Sequence, residues 1–231
     1  MTHWRNRPIP PTFFWSLIRY YTAMLVLSLA AAMPALADDP LNREQALAAL
    51  DHVEPQRRLA AMVRLADTGT AVDAGALVPR LSDADPTLRQ AAVVLIWRLW
   101  GRSGDTHIDA LYEQGVTWMQ AGDLPRAAQV FSDVIDQRPA FAEAWNKRAT
   151  VHYMMDDYAS SMRDCDEVLA RVPYHFGALS GYAQMLIERG EPERALVYME
   201  RAYRINPNMV NAQGMIDALR RQIENKRRNS T

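Results

Sequence analysis

His152 and Cys165 are the two residues that could form a chemical site, because a thiol beside an imidazole can act as a nucleophile or bind a metal ion. Two ligands are too few to hold a metal ion, and the other four histidines are scattered along the chain. The sequence has no phosphate-binding loop, nucleophile elbow, His-Glu-x-x-His or Cys-x-x-Cys motif. We therefore expect no enzymatic activity, no metal and no cofactor. A metal- or thiol-dependent activity at His152 and Cys165 is kept as an alternative.

Both residues lie within a pattern that repeats every 34 residues. Proline marks the end of each repeat, at Pro139, Pro173 and Pro207. Small residues occupy the eighth and twentieth positions, which are Gly115, Ala149 and Ala183, and Ala127, Ser161 and Ala195. Antiparallel helices can lie close together only where their facing side chains are small, and proline ends the second helix. The pattern therefore predicts three helical hairpins, at residues 108–141, 142–175 and 176–207.

This pattern resembles the tetratricopeptide repeat family, in which Trp-x2-Leu-Gly-x2-Tyr is followed by Ala, Phe and Pro. The resemblance covers about 100 residues and holds in all three copies. It implies an all-α, right-handed solenoid whose first helices line a concave groove. The implied groove residues are Asp109, Tyr112, Val116, Met119, Glu143, Asn146, Thr150, Tyr153, Met154, Ser180, Gln184 and Ile187, with Gln120, Gly177 and Glu188 at the remaining groove positions.

The chemistry of this groove indicates a peptide as its ligand. Aromatic and methionine side chains offer adaptable contact area, and Asn146 and Gln184 can bond a peptide backbone. The lining suits a neutral or mildly basic, partly apolar segment of an unidentified partner. One subclass of the family grips a C-terminal carboxylate with Lys, Asn and Arg at five positions. Those positions are Tyr112, Val116, Lys147, Gly177 and Gly181 here, so we do not expect that clamp. Filling of the groove by the N-terminal helices or by a second copy is the alternative.

Residues 38–107 carry a different repeat. The pattern that begins at Pro55 returns at Pro86, 31 residues later, and resembles two short HEAT-type units. Arg58 and Arg89 occupy equivalent places, and we expect each to bond carbonyls or an acid of the neighbouring turn.

Both ends of the repeat array need a cover. We expect Trp97 and Trp100 to pack on the first helix of the array, near Leu111 and Trp118, so that the two repeat types form one continuous solenoid. At the other end, the C-terminal segment 208–231 is predicted to contain a capping helix that runs from Met209 to Arg227.

Residues 1–37 have the three parts of a secretory signal peptide. Arginines precede an apolar run from Tyr20 to Ala32, and Ala35-Leu36-Ala37 precedes the first acidic residues. The pattern predicts cleavage between Ala37 and Asp38 and an exported, periplasmic protein with no membrane contact after cleavage. An uncleaved segment that anchors the protein in the inner membrane is the alternative, because Phe13-Phe14-Trp15 could extend the apolar run.

Composition narrows the class of partner. The net charge is -1, and the three arginines before residue 38 leave a mildly acidic body, which argues against a nucleic-acid partner. A single cysteine excludes an intrachain disulfide. We interpret the chain as a non-enzymatic protein–protein interaction or scaffold module, a periplasmic adaptor or assembly factor. A structural repeat protein that assembles with itself is kept as an alternative.

Overall fold

A computed structural model describes residues 41–229, which form eleven α-helices and no strand. The all-α prediction is confirmed. The predicted signal peptide, with its cleavage site between Ala37 and Asp38, lies outside the described residues. No helix within 41–229 has the length and apolar character that crossing a membrane requires.

The helices fall into an N-terminal region, three hairpins and a last helix. The N-terminal region contains α1 (Arg43–Ala49), α2 (Pro55–Thr68), α3 (Ala74–Leu77) and α4 (Pro86–Trp100), with 3-10 turns at Ala71–Asp73 and Val78–Ser82. The hairpins are α5 (Thr106–Ala121) with α6 (Leu124–Gln137), α7 (Ala142–Met154) with α8 (Tyr158–Arg171), and α9 (Phe176–Glu188) with α10 (Pro192–Ile205). The last helix is α11 (Ala212–Arg228). The division into a HEAT-like region, three repeats and a cap, with the boundaries given above, stays a prediction.

Small residues and left-handed turns shape the hairpins. A Cβ atom at Gly115 would lie 2.7 Å from the ring of Phe131, so α5 and α6 approach closely only because this side chain is absent. The turns between paired helices contain Gly122 at φ 80° and Gly190 at φ 71°. Asp156 adopts the same left-handed conformation at φ 60° in the middle hairpin, which short polar side chains tolerate better than bulky ones.

The N-terminal region repeats one set of contacts 31 residues apart. The Nη1 group of Arg58 donates to the carbonyls of residues 52–53, at 2.9 and 3.0 Å. Arg89 donates in the same way to the carbonyls of residues 83–84, at 2.8 and 3.1 Å. Arg58 also pairs with the buried carboxylate of Asp83 at 2.8 Å. Both arginines therefore hold the turn before their own helix, as expected.

The two tryptophans at the end of α4 pack on the third hairpin. The Trp100 ring stacks on His175 with 3.9 Å between centroids, and Trp97 meets Phe176 edge-on at 5.5 Å. A Cβ atom at Gly177 would clash with the Trp97 ring. The expectation that both would cover the first hairpin was wrong. Their apolar character shows that they need a cover, but the cover is a surface about 80 residues away that has a glycine where Trp97 must fit.

The N-terminal region and the third hairpin share one core. Leu179 and Ala202 are fully buried in the cluster that contains the apolar residues of α1 to α4. Asn208, in the turn after α10, donates its side-chain amide to the carbonyl of Leu81 at 2.7 Å. The chain therefore folds back across the hairpins, whereas we had expected the N-terminal region to extend them in a line.

The last helix begins three residues later than predicted. Asn211 has a left-handed backbone at φ 64°, so the right-handed helix cannot extend back to Met209 and starts at Ala212. The buried face of α11 consists of Ala212, Ile216, Leu219 and Ile223. This apolar stripe packs on the third hairpin and leaves the polar face of α11 outward.

Candidate peptide-binding groove

A small, half-open cavity of about 140 Å³ lies between α7 and α9. Five of the predicted groove positions line it together: Asn146, Thr150, Tyr153, Gly177 and Gln184. Cys165 and Met185 contribute to its apolar wall. The structure therefore brings together residues of the second and third hairpins that are up to 39 positions apart in the sequence.

A glycine on α9 leaves this space open. Gly177 and Gly181 line the cavity, and a Cβ atom built at Gly181 would meet no atom within 4 Å. Of the described residues that line the cavity, none carries a charge. An unpaired charge is costly to bury in such surroundings, so the cavity suits an uncharged, mostly apolar group.

An acidic residue lies beside the cavity. The side-chain amide of Gln184 donates to the carboxylate of Glu188 at 2.9 Å, and Glu188 is exposed to solvent. Burial raises the pKa of Tyr153, and the negative charge of Glu188 raises it further, so this phenol stays neutral. The groove therefore offers neutral hydrogen-bonding groups with an exposed carboxylate next to them.

Three other predicted groove residues are interior and do not line the cavity: Tyr112, Met119 and Glu143; Asn146 is also buried, but it lines the cavity. The Tyr112 ring packs against Phe131 and Phe141, with centroids 5.9 and 5.3 Å apart. Because neighbouring side chains cover these three residues, they offer no surface to a partner. The accessible groove is therefore shorter than the predicted one.

Glu143 is the centre of a buried polar network. Its carboxylate lies 2.9 Å from the Lys147 ammonium, and His175 Nε2 and the Asn146 amide each lie 3.0 Å from it. Burial pushes the pKa of Glu143 up, but the Lys147 charge and the His175 hydrogen bond outweigh burial and hold that pKa at about 2. The carboxylate is therefore ionised at neutral pH.

The tautomer of His175 follows from its two partners. Its Nδ1 accepts a hydrogen bond from the backbone N–H of Ala178 at 3.0 Å, which caps the start of α9. The proton of the neutral ring is then on Nε2, which donates to Glu143. The repeat pattern did not predict this network. The four-residue spacing of Glu143 and Lys147 was its signal, since such a pair meets on one helix face.

The remaining predicted residues do not join the cavity. Asp109 accepts hydrogen bonds from the backbone and hydroxyl of Ser103, at 2.7 and 2.6 Å, and so holds the turn between α4 and α5. Ser180 donates to the carbonyl of Gly177 at 2.9 Å. Partly buried side chains that pack against the hairpin cores are Val116, Met154 and Ile187.

The alternative site at His152 and Cys165 lacks an activated thiol. Burial raises the pKa of Cys165 to about 12, with Asp164 and Asp166 adding to the shift. His152 Nε2 lies 3.7 Å from Asp164, which Arg148 already holds with two hydrogen bonds of 2.9 and 2.7 Å. Within residues 41–229, no group of three or more His, Cys, Asp or Glu side chains is placed to hold a metal ion. Because the pKa of Cys165 is raised, this residue has little of the thiolate form that such chemistry needs at neutral pH.

This chain is similar in sequence to known proteins and similar in fold to solved structures. No family model matches the chain. A TPR repeat-containing protein of Rhizobium etli is 34% identical over 128 residues, which cover 55% of this chain and 63% of that protein. The chain spans less than two thirds of the length of the curated relatives it matches.

Two solved structures share the fold. The Sgt2 TPR domain from Aspergillus fumigatus aligns with a TM-score of 0.51 and 16% identity, over 55% of this chain and 85% of that one. The Yersinia enterocolitica type III secretion translocator chaperone SycD aligns with a TM-score of 0.50 and 16% identity, over 52% of this chain and 96% of that one. The chain is therefore similar in sequence to a protein named for its TPR repeats and similar in fold to the Sgt2 TPR domain.

Proposed function

We propose that this chain is a non-enzymatic protein-interaction module that binds a segment of a partner protein between α7 and α9. The observation that carries this proposal is the cavity of about 140 Å³, on whose wall Asn146, Thr150, Tyr153 and Gln184 meet. An apolar recess surrounded by neutral hydrogen-bonding groups is the arrangement that binds one side chain and the backbone on either side of it.

The buried network supports the location of this contact. Trp97 and Trp100 cover the start of α9, and Glu143 and Lys147 are enclosed beneath the same region. A partner therefore reaches the second and third hairpins at the cavity and not at the surface of His175 and Phe176, which the two tryptophans cover. The rigid core below the cavity keeps its wall in place without a bound partner.

The proposed role is that of an exported adaptor or assembly factor in the periplasm. Its support is the basic, apolar and small-residue order of residues 1–37. N-terminal sequencing of the protein recovered from the cell envelope tests this role, with Asp38 expected as the first residue. An intact Met1 in the mature protein would favour the membrane-anchored alternative.

Site-specific crosslinking tests the interaction. A photoreactive amino acid at Gln184 should give an adduct with a partner segment, whereas the same group at Gln222, exposed on α11, should not. Tyr153→Ala should reduce the yield from Gln184 while the circular dichroism spectrum stays unchanged. Equal adducts from both positions would contradict a groove site. Adducts only with a second copy of this chain would support the self-assembly alternative.

A further inference from the structure

We infer that the cavity between α7 and α9 is a pocket for one apolar side chain of leucine, methionine or phenylalanine size, carried by a peptide segment with a lysine or arginine close to that residue. This inference rests on the proposed function and specifies its ligand. It differs from the carboxylate clamp of the related subclass both in the group that is bound and in the sign of the charge beside it.

The size of the cavity sets the size of the side chain. Its volume of about 140 Å³ is close to that of an engineered protein cavity, of the order of 150 Å³, that binds benzene. A phenylalanine ring or a branched aliphatic side chain therefore fits, and a tryptophan does not. The open side of the cavity lets the side chain enter from the groove while the peptide backbone stays outside.

The residues that line the cavity determine the polarity of the side chain that it can bind. Ala178, Met185 and Cys165 supply an apolar wall, and the thiol of Cys165 is protonated at neutral pH. The two positions at which the carboxylate-binding subclass has cations on this helix are Gly177 and Gly181 here, and a Cβ atom at Gly181 would meet no atom within 4 Å. A peptide carboxylate placed here would be buried without a counter-charge, which is unfavourable.

The charges around the cavity indicate which type of residue lies next to the apolar residue of the bound peptide. Glu188 is exposed and accepts a hydrogen bond from Gln184, a lining residue, so its carboxylate lies at the edge of the cavity. Asp156 is also exposed, in the turn directly after α7. The nearest lysine on α7, Lys147, is buried and paired with Glu143 at 2.9 Å. A cation on the peptide is attracted to this edge, and an acidic peptide is repelled.

Filling the cavity is a clean test because the structure offers a matched pair of glycines. An added Cβ atom meets nothing within 4 Å at Gly181, which lines the cavity, or at Gly214, which lies on α11 and does not. Leucine is a better helix former than glycine, so both Gly181→Leu and Gly214→Leu should fold. Only Gly181→Leu places a side chain at the proposed pocket.

The probe is a random peptide library selected on the purified protein, followed by synthesis of the selected peptides with blocked ends. Fluorescence anisotropy then gives Kd. We expect the selected peptides to share one Leu, Met or Phe with a Lys or Arg close by. Gly181→Leu should weaken binding about tenfold or more, the loss that corresponds to one large apolar side chain, and Gly214→Leu should leave Kd unchanged. Glu188→Gln should weaken binding about two- to fivefold at low salt and less at high salt.

The outcomes separate the pocket from the groove. Peptides that lose affinity with Gln184→Ala but bind Gly181→Leu normally would overturn the pocket and leave the groove in place. Selection of acidic peptides, or of peptides without an apolar residue, would overturn the proposed ligand. If the selection yields no binding peptide, or only peptides whose Kd is unchanged by Gln184→Ala and by Gly181→Leu, both the pocket and the groove would be overturned.

Discussion

Glu143→Gln should destabilise the protein in a pH-dependent way. The substitution keeps the size of the side chain and removes its charge, which leaves Lys147 buried without its counter-charge. Removing one partner of a buried ion pair typically costs about 3–5 kcal/mol. His175 and Asn146 both bond the Oε2 atom of Glu143, and the amide oxygen of glutamine can still accept from them, so the loss falls on the ion pair with Lys147.

The pH dependence follows from the pKa of Glu143. Its value is about 2 in the folded protein, against an ordinary value of 4.5. Because the folded-state pKa is the lower one, ionised Glu143 stabilises the fold above about pH 4.5, and this contribution is lost as the pH falls through about 2. The difference corresponds to about 3 kcal/mol in total, of which about 1 kcal/mol is lost at about pH 4 and about 2 kcal/mol at about pH 3.

Urea unfolding of the unmodified protein and of Glu143→Gln, measured between about pH 6 and pH 3, tests this expectation. The gap between the two free energies of unfolding should narrow by about 2 kcal/mol over that range. Glu113→Gln, an exposed substitution on α5, is the control for the removal of a glutamate as such. Two curves that stay parallel from pH 6 to pH 3 would refute the ion-pair reasoning.

Three further predictions concern packing and reactivity. Gly115→Ala should lower the free energy of unfolding by about 1–3 kcal/mol in thermal unfolding, because its methyl group would meet the Phe131 ring at 2.7 Å. Gly181→Ala, in open space, should raise the free energy of unfolding by about 0.5–1 kcal/mol. Equal effects of the two substitutions would contradict the hairpin register. Trp100→Ala should lower the free energy of unfolding by about 3–5 kcal/mol and should increase the rate of hydrogen exchange in α9 as well as in α4. An increase confined to α4 would show that α4 and α9 do not share a core. Cys165 should react with a thiol reagent only slowly at pH 7 until denaturant is added, and fast labelling of the folded protein would contradict its burial.

The repeat pattern was sufficient to predict the all-α fold and the residue types at its close contacts. Gly115 and the small residues at the same repeat position predict pairs of helices, because only small side chains let two helices lie close together. Gly122, Asp156 and Gly190 recur at one spacing and mark the turns between the paired helices. These features are local or recur at a fixed period, so they can be read without knowing which distant surfaces meet. The start of α11 escaped prediction because the left-handed Asn211 lies inside an otherwise helical stripe.

The candidate site could be predicted only in part. Asn146, Thr150, Tyr153 and Gln184 were identified by their positions in the repeat, because each position points in a constant direction on its helix. Tyr112 and Glu143 occupy the same kind of position but are covered, since burial depends on what packs over a side chain. Helical spacing does not contain that information.

The sequence by itself determined the local and periodic properties: helices, hairpins, turns and the outline of a groove. Only the tertiary structure decided that Trp97 and Trp100 pack on His175 and Phe176, since apolar side chains need a cover but do not specify one. The Trp97 ring also fills the space beside Gly177, whereas the space beside Gly181 stays open in the cavity. The physical reason is that hydrophobic attraction has no direction, so the choice between equally apolar surfaces rests on how well their shapes fit.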